Sequence, residues 1–103
     1  MDIQVVSMRE KFKDEKCISG KATGVFFRNE LEIALEKGPV IVDFQDIQVI
    51  TQSFSDEFLG PILAHNGQEV LRRIKFKNCS DGVQAAILST AHRFLSNAQS
   101  ISH

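Results

Sequence analysis

The sequence predicts one α/β domain in which about four strands form a mostly parallel sheet and three helices lie mainly on one face. The first observation behind this prediction is that short runs rich in β-branched residues alternate with longer segments of helical apolar periodicity. Strands that alternate with helices are joined by right-handed crossovers and are therefore parallel. The second observation is the length of 103 residues, which suits a single core and allows too few helices to cover both faces of the sheet.

Three strands are predicted from short apolar runs, at residues 3–7, 40–44 and 72–78. The run VIVDF has apolar side chains on both parities, which is typical of a central strand that is buried on both faces. The run RRIKFKN alternates instead, so that Ile74 and Phe76 point to the core while the basic side chains point to solvent. After a highly charged connection at residues 8–16, Cys17 and Ile18 are predicted to return as the arm of a hairpin.

Three helices are predicted, at residues 25–37, 53–66 and 81–95. A side-chain hydroxyl is expected to cap each helix start by accepting a hydrogen bond from a first-turn amide. The three capping residues are Thr23, Ser53 and Ser80. Pro61 predicts a kink or a break inside the second helix, because proline cannot donate to the residue four before it. Residues 1–95 are expected to form the single domain, and residues 96–103 a flexible C-terminal tail.

The composition fits a packed domain that has no general attraction to nucleic acid or membranes. Apolar residues make up 43% of the chain, which includes eight phenylalanines. The predicted core contains Phe44, Phe58, Leu63, Phe76, Ile87 and Phe94. The net charge of −1 gives no affinity for polyanions, and no apolar run approaches the roughly 20 residues of a membrane helix.

The chemistry-bearing residues predict neither an enzyme nor a metal or cofactor site. The serines lack the surroundings of a hydrolase nucleophile, the three histidines share no metal-ligand spacing, and no phosphate-binding glycine loop is present. Cys17 and Cys79 form no C-x-x-C pair, which fits free thiols in a reducing cytoplasm. Asp43 and Asp46 straddle the end of a strand, where α/β folds often bind ligands, so they mark a candidate ligand crevice.

The stretch DFQDIQVITQSFSDEFLG at residues 43–60 resembles a bacterial STAS-like domain family, which is related to the STAS domain of anti-anti-sigma factors. In the STAS pattern a strand and a few apolar residues lead into D-S-S-G at a helix start. Aligned without gaps, Thr51 falls on the motif aspartate, Gln52 and Ser53 on the two serines, and Phe54 on the glycine. The resemblance implies that Ser53 occupies the position at which kinases phosphorylate anti-anti-sigma factors.

The resemblance therefore implies a cytoplasmic regulatory module that docks the Ser53 helix start onto a protein partner. The implied partner is a histidine-kinase-type ATPase or an anti-sigma-like protein, and a homodimer is also compatible with this reading. The expected docking surface is an exposed polar turn with one possible apolar anchor: Thr51, Gln52, Ser53, Ser55 and Asp56, with Phe54 as the anchor. The alternative is a sensor that binds a small ligand or a nucleotide at the Asp43 strand end.

Two roles are open for Ser53. In the first it only caps the helix, accepting a hydrogen bond from the Asp56 amide. In the second it is a phosphorylated switch, which would add about −1.5 to −2 charges to the first turn. A helix N-terminus favours that charge, whereas the neighbouring Asp56 and Glu57 repel it.

Overall fold

Five short strands form two parallel sheets in the part of the chain that the structure describes. The structure is a computed structural model that describes residues 3–12 and 15–101 and, within them, all side chains except those of residues 11 and 96–101. The strands are β1 (Gln4–Ser7), β2 (Cys17–Ile18), β3 (Val40–Asp43), β4 (Val49–Ile50) and β5 (Ile74–Lys77). β1, β3 and β5 form one sheet with β3 in the centre, and β2 pairs with β4 in the other.

The pairing confirms the prediction of parallel strands, whereas the prediction of one sheet with about four strands is wrong. β2 does not return beside β1 as a hairpin arm, because the chain turns into a helix directly after β1 and leaves that strand. Instead, β2 lies against the segment that follows β3. The amide of Gln48 donates to the carbonyl of Lys16 at 2.8 Å, and the amide of Thr51 donates to the carbonyl of Ile18 at 3.0 Å.

Four α-helices and one 3-10 helix lie within the described residues. They are α1 (Met8–Lys11), α2 (Lys21–Lys37), α3 (Gln52–Asn66), the 3-10 helix Gly67–Arg72, and α4 (Asp81–Ile101). The three predicted helices correspond to α2, α3 and α4. The helix α1 lies in the segment predicted to be a charged connection. It forms because the Ser7 hydroxyl accepts from the Glu10 amide at 3.4 Å and because Met8 is fully buried.

The helix boundaries differ from the prediction at two places. α2 begins at Lys21 with Gly20 at its N-cap, so Thr23 lies inside the first turn and is not the cap. α3 continues through Pro61, so of the two predicted alternatives the break is wrong, and the kink stays a prediction. Proline removes only one backbone donor, and the buried side chains on both sides of it, Leu59 and Ile62, hold the helix on the core.

The last helix begins as predicted and extends further than predicted. The Ser80 hydroxyl accepts from the Val83 amide at 3.1 Å and donates to the Gln48 carbonyl at 2.6 Å. The backbone of residues 96–101, part of the expected tail, belongs to α4. Residues 102–103 lie outside the described residues.

The core lies between one face of the three-stranded sheet and the layer of long helices. α3 packs between α2 and α4, and α2 also contacts β1 and β3. Val40 and Val42, on the inner face of β3, are 1% and 0% exposed. Ile41, which points to the opposite face, is only half-buried. The helices thus cover mainly one face, as predicted, but the prediction that β3 is buried on both faces is wrong.

Most of the predicted core residues are buried. The buried ones are Phe44, Phe58, Leu63 and Ile87. Phe76 and Phe94 are half-buried. Phe76 lies on β5, an edge strand, where its ring stacks on Phe44 with 6.5 Å between the centroids. An edge strand has a neighbour on one side only, so full burial of Phe76 is not reached.

Candidate docking site at the start of helix α3

Thr51 caps helix α3, and the predicted cap Ser53 does not. Thr51 has the extended backbone of an N-cap residue, with φ −75° and ψ 157°, and its hydroxyl accepts from the Phe54 amide at 3.3 Å. The helix therefore begins one residue before Ser53, which already has a helical position. The Ser53 side chain is exposed, and its hydroxyl lies 3.3 Å from that of Thr51.

Phe54 belongs to the core, so its predicted role as an exposed apolar anchor is wrong. Its side chain is fully buried. The ring stacks on Phe58 at a centroid distance of 5.4 Å and meets Phe27 edge-on at 6.1 Å. The reason is helical geometry, because residues 54 and 58 are one turn apart on the side of α3 that packs against α2.

Ser55 is likewise fully buried and cannot be part of an exposed turn. Its hydroxyl lies 2.7 Å from the Thr90 hydroxyl and donates to the Ala86 carbonyl at 3.3 Å. The Gln52 amide nitrogen bonds the same two groups of α4, the Thr90 hydroxyl at 2.9 Å and the Ala86 carbonyl at 3.2 Å. These contacts fasten the first turn of α3 to the middle of α4.

Asp56 completes what we call the α3–α4 polar network, formed by Gln52, Ser55, Asp56, Thr90 and Arg93. The Asp56 carboxylate accepts from Arg93 at 2.6 and 3.0 Å, from Thr90 at 2.7 Å and from Gln52 at 3.0 Å. Burial alone raises the pKa of Asp56, but the hydrogen bonds from Arg93, Thr90 and Gln52 outweigh it, and the net pKa lies below the usual value. The Asp56 carboxylate is therefore held in its charged form.

Both acidic side chains near Ser53 have a positively charged partner. Asp56 is paired with Arg93, and Glu57 lies 3.4 Å from Arg28, which also donates to the Glu57 carbonyl at 2.9 Å. Pairing lowers the repulsion that these carboxylates exert on a further negative charge in the first turn. The electrostatic objection to a phosphate on Ser53 is thus weaker than the sequence suggests.

The exposed part of the predicted docking surface is smaller than expected. Gln52 and Ser53 are exposed, and Thr51 and Asp56 are half-buried. All six residues of the predicted docking surface, 51–56, lie at the start of α3, but Phe54 and Ser55 face inward. The first turn therefore offers a polar patch whose most accessible hydroxyl-bearing member is Ser53.

Thr90 and Arg93, on α4, are the network members that the sequence analysis missed. Thr90 lies in the buried stripe of α4, beside the apolar Ala86 and Ile87. A fully buried hydroxyl needs a hydrogen-bond partner, so a threonine in an apolar stripe is a signal that a polar side chain faces it. Nothing in the sequence pairs Arg93 with Asp56, which is 37 positions earlier.

Asp43 and Asp46 lie together at the carboxyl ends of β1 and β3, as the sequence predicts. They line a cavity of about 910 Å³ with side chains of β1, α1 and the segment before β2. The Asp43 carboxylate accepts from the Gln45 amide at 3.0 Å and from the Asn78 side chain at 2.9 Å. Asp46 has a left-handed backbone, with φ 69°, and pairs with Arg9 at 3.2 Å.

Apart from these two sites, the described residues contain few groups that could react or bind a metal ion. Cys17 is exposed and Cys79 half-buried, and both thiols are free. Burial, and then the nearby charge of Asp43, raise the pKa of Cys79, which disfavours its reactive thiolate. Residues 3–12 and 15–101 contain no group of three or more potential ligands that could hold a metal ion. In the same part of the chain, no helix combines the length and apolar character needed to cross a bilayer.

The features above describe a mixed α/β domain whose parallel sheet leads into a polar helix start. A family model described as a STAS-like domain of unknown function (DUF4325) matches residues 23–84, which is more than half of the chain. The protein therefore belongs to this STAS-like family, and the match includes β3, β4, α3 and β5. The comparisons with curated proteins and with solved structures gave no match.

Proposed function

We propose that this protein is a cytoplasmic regulatory module that docks the first turn of α3 onto a protein partner. A STAS-like domain suggests a regulatory module for protein interaction. The observation that supports docking through this turn is that Ser53 is exposed on a turn that the α3–α4 polar network holds in place. By resemblance, the partner is a histidine-kinase-type ATPase or an anti-sigma-like protein. The free thiols of Cys17 and Cys79 fit a reducing compartment.

The rigidity of the turn supports docking. A surface that is already ordered loses little conformational entropy when a partner binds, so a fixed turn binds more tightly than a mobile one. Thr51 fixes the helix start from within α3, and Gln52 and Asp56 tie it to α4. The partner then meets one fixed arrangement of Thr51, Gln52, Ser53 and Asp56.

A phosphate on Ser53 would act as the off switch. In the unmodified protein the hydroxyl is small and neutral, and it can be covered by a partner at little cost. Phosphorylation adds about −1.5 to −2 charges, which must lose their water when the surface is covered. Arg93 and Arg28 are already engaged by Asp56 and Glu57, so no described arginine at the turn is available to neutralise the new charge.

The experiment compares Ser53→Asp and Ser53→Ala for affinity toward a partner isolated by stoichiometric pull-down with native mass detection. We expect Ser53→Asp to weaken binding at least about tenfold, which corresponds to about 1.4 kcal/mol, and Ser53→Ala to bind like the wild type. Thr51→Ala serves as the control for a disturbed helix start. Equal affinities for the wild type, Ser53→Ala and Ser53→Asp would show that Ser53 is not the docking switch.

A second candidate function is a small-ligand sensor at the Asp43 cavity. The cavity volume is the observation that favours it. Its described lining carries four carboxylates, Glu10, Glu15, Asp43 and Asp46, and two basic groups, Arg9 and Lys16. This balance suits a cationic or polar molecule and disfavours a nucleotide, whose phosphates the carboxylates would repel. A co-purifying small molecule in native mass spectra, lost in Asp43→Asn, supports this candidate; ligand-free protein counts against it.

A further inference from the structure

The face of the three-stranded sheet opposite the helices is uncovered. The strand register aligns Val5, Ile41 and Lys75 in one row across the sheet. Ser7, Asp43 and Lys77 form the next row. We call these six residues the open face. Val5 is 61% exposed and Lys75 and Lys77 are exposed, while Ile41, on the central strand, is half-buried.

An open face is unusual for this kind of sheet. Sheets with only parallel strands occur almost entirely with both faces covered, usually by helices, whereas antiparallel sheets tolerate one solvated face. The open face also carries a mixed surface, with the apolar Val5 and Ile41, the polar Ser7 and Asp43, and a basic row, Lys75 and Lys77, on β5. Neither Lys75 nor Lys77 forms an ion pair with a described residue.

Within residues 3–12 and 15–101, the long helices are engaged on the other side of the sheet. α3 packs against both α2 and α4, and α2 lies against the inner face of the sheet. α1 is four residues long and starts beyond the end of β1.

A second copy of the chain offers a helix surface of matching chemistry. The outer side of α2 exposes Ile33, at 57%, and beside it the exposed carboxylates of Glu32 and Glu36. On a helical projection Glu32 and Glu36 lie on the same side of Ile33. The α2 surface therefore has an apolar residue with an acidic flank, and the open face has the apolar pair Val5 and Ile41 with a basic row on β5, beside the carboxylate of Asp43.

The spacing of the charges also matches. Residues two apart on a strand are separated by about 6.6 Å along its axis, which is the separation expected for Lys75 and Lys77. Residues four apart on a helix are separated by about 6 Å, which applies to Glu32 and Glu36. A helix that lies along the strands can place both carboxylates over both lysines while Ile33 covers Val5 and Ile41.

We propose that the protein self-associates head to tail, with the outer side of α2 of one copy docked on the open face of the next. This contact completes the helical cover that the parallel sheet lacks. Face-to-face pairing of two open faces fits less well, because it brings two like-charged lysine rows into one interface. A head-to-tail contact joins two different surfaces, so each added copy leaves one of each free and the assembly can grow. Salt should weaken it, because two charge pairs contribute.

Sedimentation velocity over a concentration series tests the proposal with two charge-reversed variants. The first variant is Lys75→Glu with Lys77→Glu, and the second is Glu32→Lys with Glu36→Lys. We expect the wild type to form oligomers whose size increases with concentration and decreases with salt. Each variant alone should associate at least about tenfold more weakly, because like charges then meet. An equimolar mixture of the two variants should associate again.

The control is Leu88→Lys, since Leu88 is 62% exposed on α4 and belongs to neither surface. This variant should associate like the wild type, and unchanged melting temperatures will show that all variants are folded. A wild type that stays monomeric throughout the series overturns the proposal. Undiminished association of the Glu32→Lys, Glu36→Lys variant also overturns it, because a contact between two open faces does not involve α2.

Discussion

At the scale of single residues, the start of α3 places a hydroxyl with a structural role, that of Thr51, close to an exposed hydroxyl, that of Ser53. Thr51 and Ser53 are two residues apart, and both look like helix caps in the sequence. In the structure only the Thr51 hydroxyl accepts from a backbone amide, while the Ser53 side chain is exposed. The stabilising role and the proposed docking role are therefore carried by different residues and can be separated by mutation.

We predict that Thr51→Ala lowers the free energy of unfolding by about 1 kcal/mol, because the Phe54 amide loses its acceptor. Ser53→Ala should change it by less than about 0.5 kcal/mol, since that hydroxyl bonds no backbone group in the structure. Urea unfolding of both variants measures the difference, with Thr51→Ser as a control that retains the cap. A loss in Ser53→Ala as large as that in Thr51→Ala would contradict the assignment of the cap.

The depressed pKa of Asp56 predicts a pH-dependent contribution to stability. Because the pKa is lower in the folded state than the ordinary value of 3.8, the contribution is complete above that value and is lost as the pH falls through the folded-state pKa. Asp56→Asn should lower the free energy of unfolding by about 1.5–3 kcal/mol at neutral pH, as expected for hydrogen bonds to a charged group. The difference from the wild type should shrink in strong acid.

Asp46→Asn is the matched control for this experiment. Its ion pair with Arg9 joins side chains that are 61% and 58% exposed, so its loss should cost no more than about 1 kcal/mol. Unfolding curves of the wild type and both variants between neutral pH and pH values below 3.8 give the comparison. A difference between wild type and Asp56→Asn that does not change with pH would refute the role of the ionised carboxylate.

At the scale of helices, α3 crosses its two neighbours at glycines. A Cβ atom on Gly24 of α2 would lie 2.7 Å from the Glu57 Cβ and 2.8 Å from the Phe54 carbonyl oxygen. A Cβ atom on Gly60 of α3 would lie 2.5 Å from the ring of Phe94 on α4. At Gly24 the two helix backbones therefore approach more closely than a side chain allows, whereas at Gly60 the ring of Phe94 occupies the space that a side chain would take.

The two glycines should respond differently to alanine. Gly24→Ala meets backbone that cannot move without shifting α3, so we expect a loss of about 1–3 kcal/mol despite the better helix propensity of alanine. Gly60→Ala meets the end of a half-buried ring that can rotate away, so its loss should be smaller. Thermal unfolding of both variants measures this order, and a larger loss at Gly60 would contradict it.

The helices and strands of this protein differ in how well the sequence predicts them. The buried side chains of α2, Phe27, Leu31, Ala34 and Leu35, recur at helical spacing, so that helix was predictable from local pattern. The pairing of β2 with β4 could not be predicted, because a two-residue strand has no periodicity and its partner is more than 30 positions away. The α3 cap was misplaced because Thr51 and Ser53 have equally suitable side chains, and only the backbone angles distinguish them.

At the scale of the whole molecule, stability depends on the layer between the sheet and the helices. Phe44 is fully buried at the end of β3, and Phe76 is half-buried beside it on the edge strand. We predict that Phe44→Ala costs about 3–5 kcal/mol through the lost transfer energy and the cavity left behind. Phe76→Ala should cost less, although both residues are predicted from the sequence to be core.

Chemical denaturation of Phe44→Ala and Phe76→Ala provides the measurement. Phe44→Leu is a useful control, because it removes less volume and should recover part of the loss. If Phe76→Ala is as destabilising as Phe44→Ala, then β5 is more deeply covered in solution than the structure indicates.

The position of the candidate docking site could be predicted from the sequence, but the directions in which its side chains point could not. The residues 43–60 that carry the family resemblance lie within the segment matched by the STAS-like family model. The sequence could not show that Phe54 and Ser55 point inward, because this depends on where α2 and α4 pack against α3. Thr90 and Arg93 come from a helix that is separated from the first turn of α3 by the whole of β5, so only the tertiary fold brings them to Asp56.

The register of the three-stranded sheet has a consequence for how the chain is made. Gln4 pairs with Val40, and Val40 pairs with Ile74. β1 and β3 can therefore pair fully only with strands that are synthesised more than 30 residues later. On the ribosome, β1 leaves the exit tunnel without any strand beside it, and the sheet can close only after β5 has emerged. Non-local pairings of this kind form slowly, and unpaired strand edges invite aggregation in the meantime. Until β5 emerges, α2 and α3 are the long helices that can shield the unpaired edges of β1 and β3.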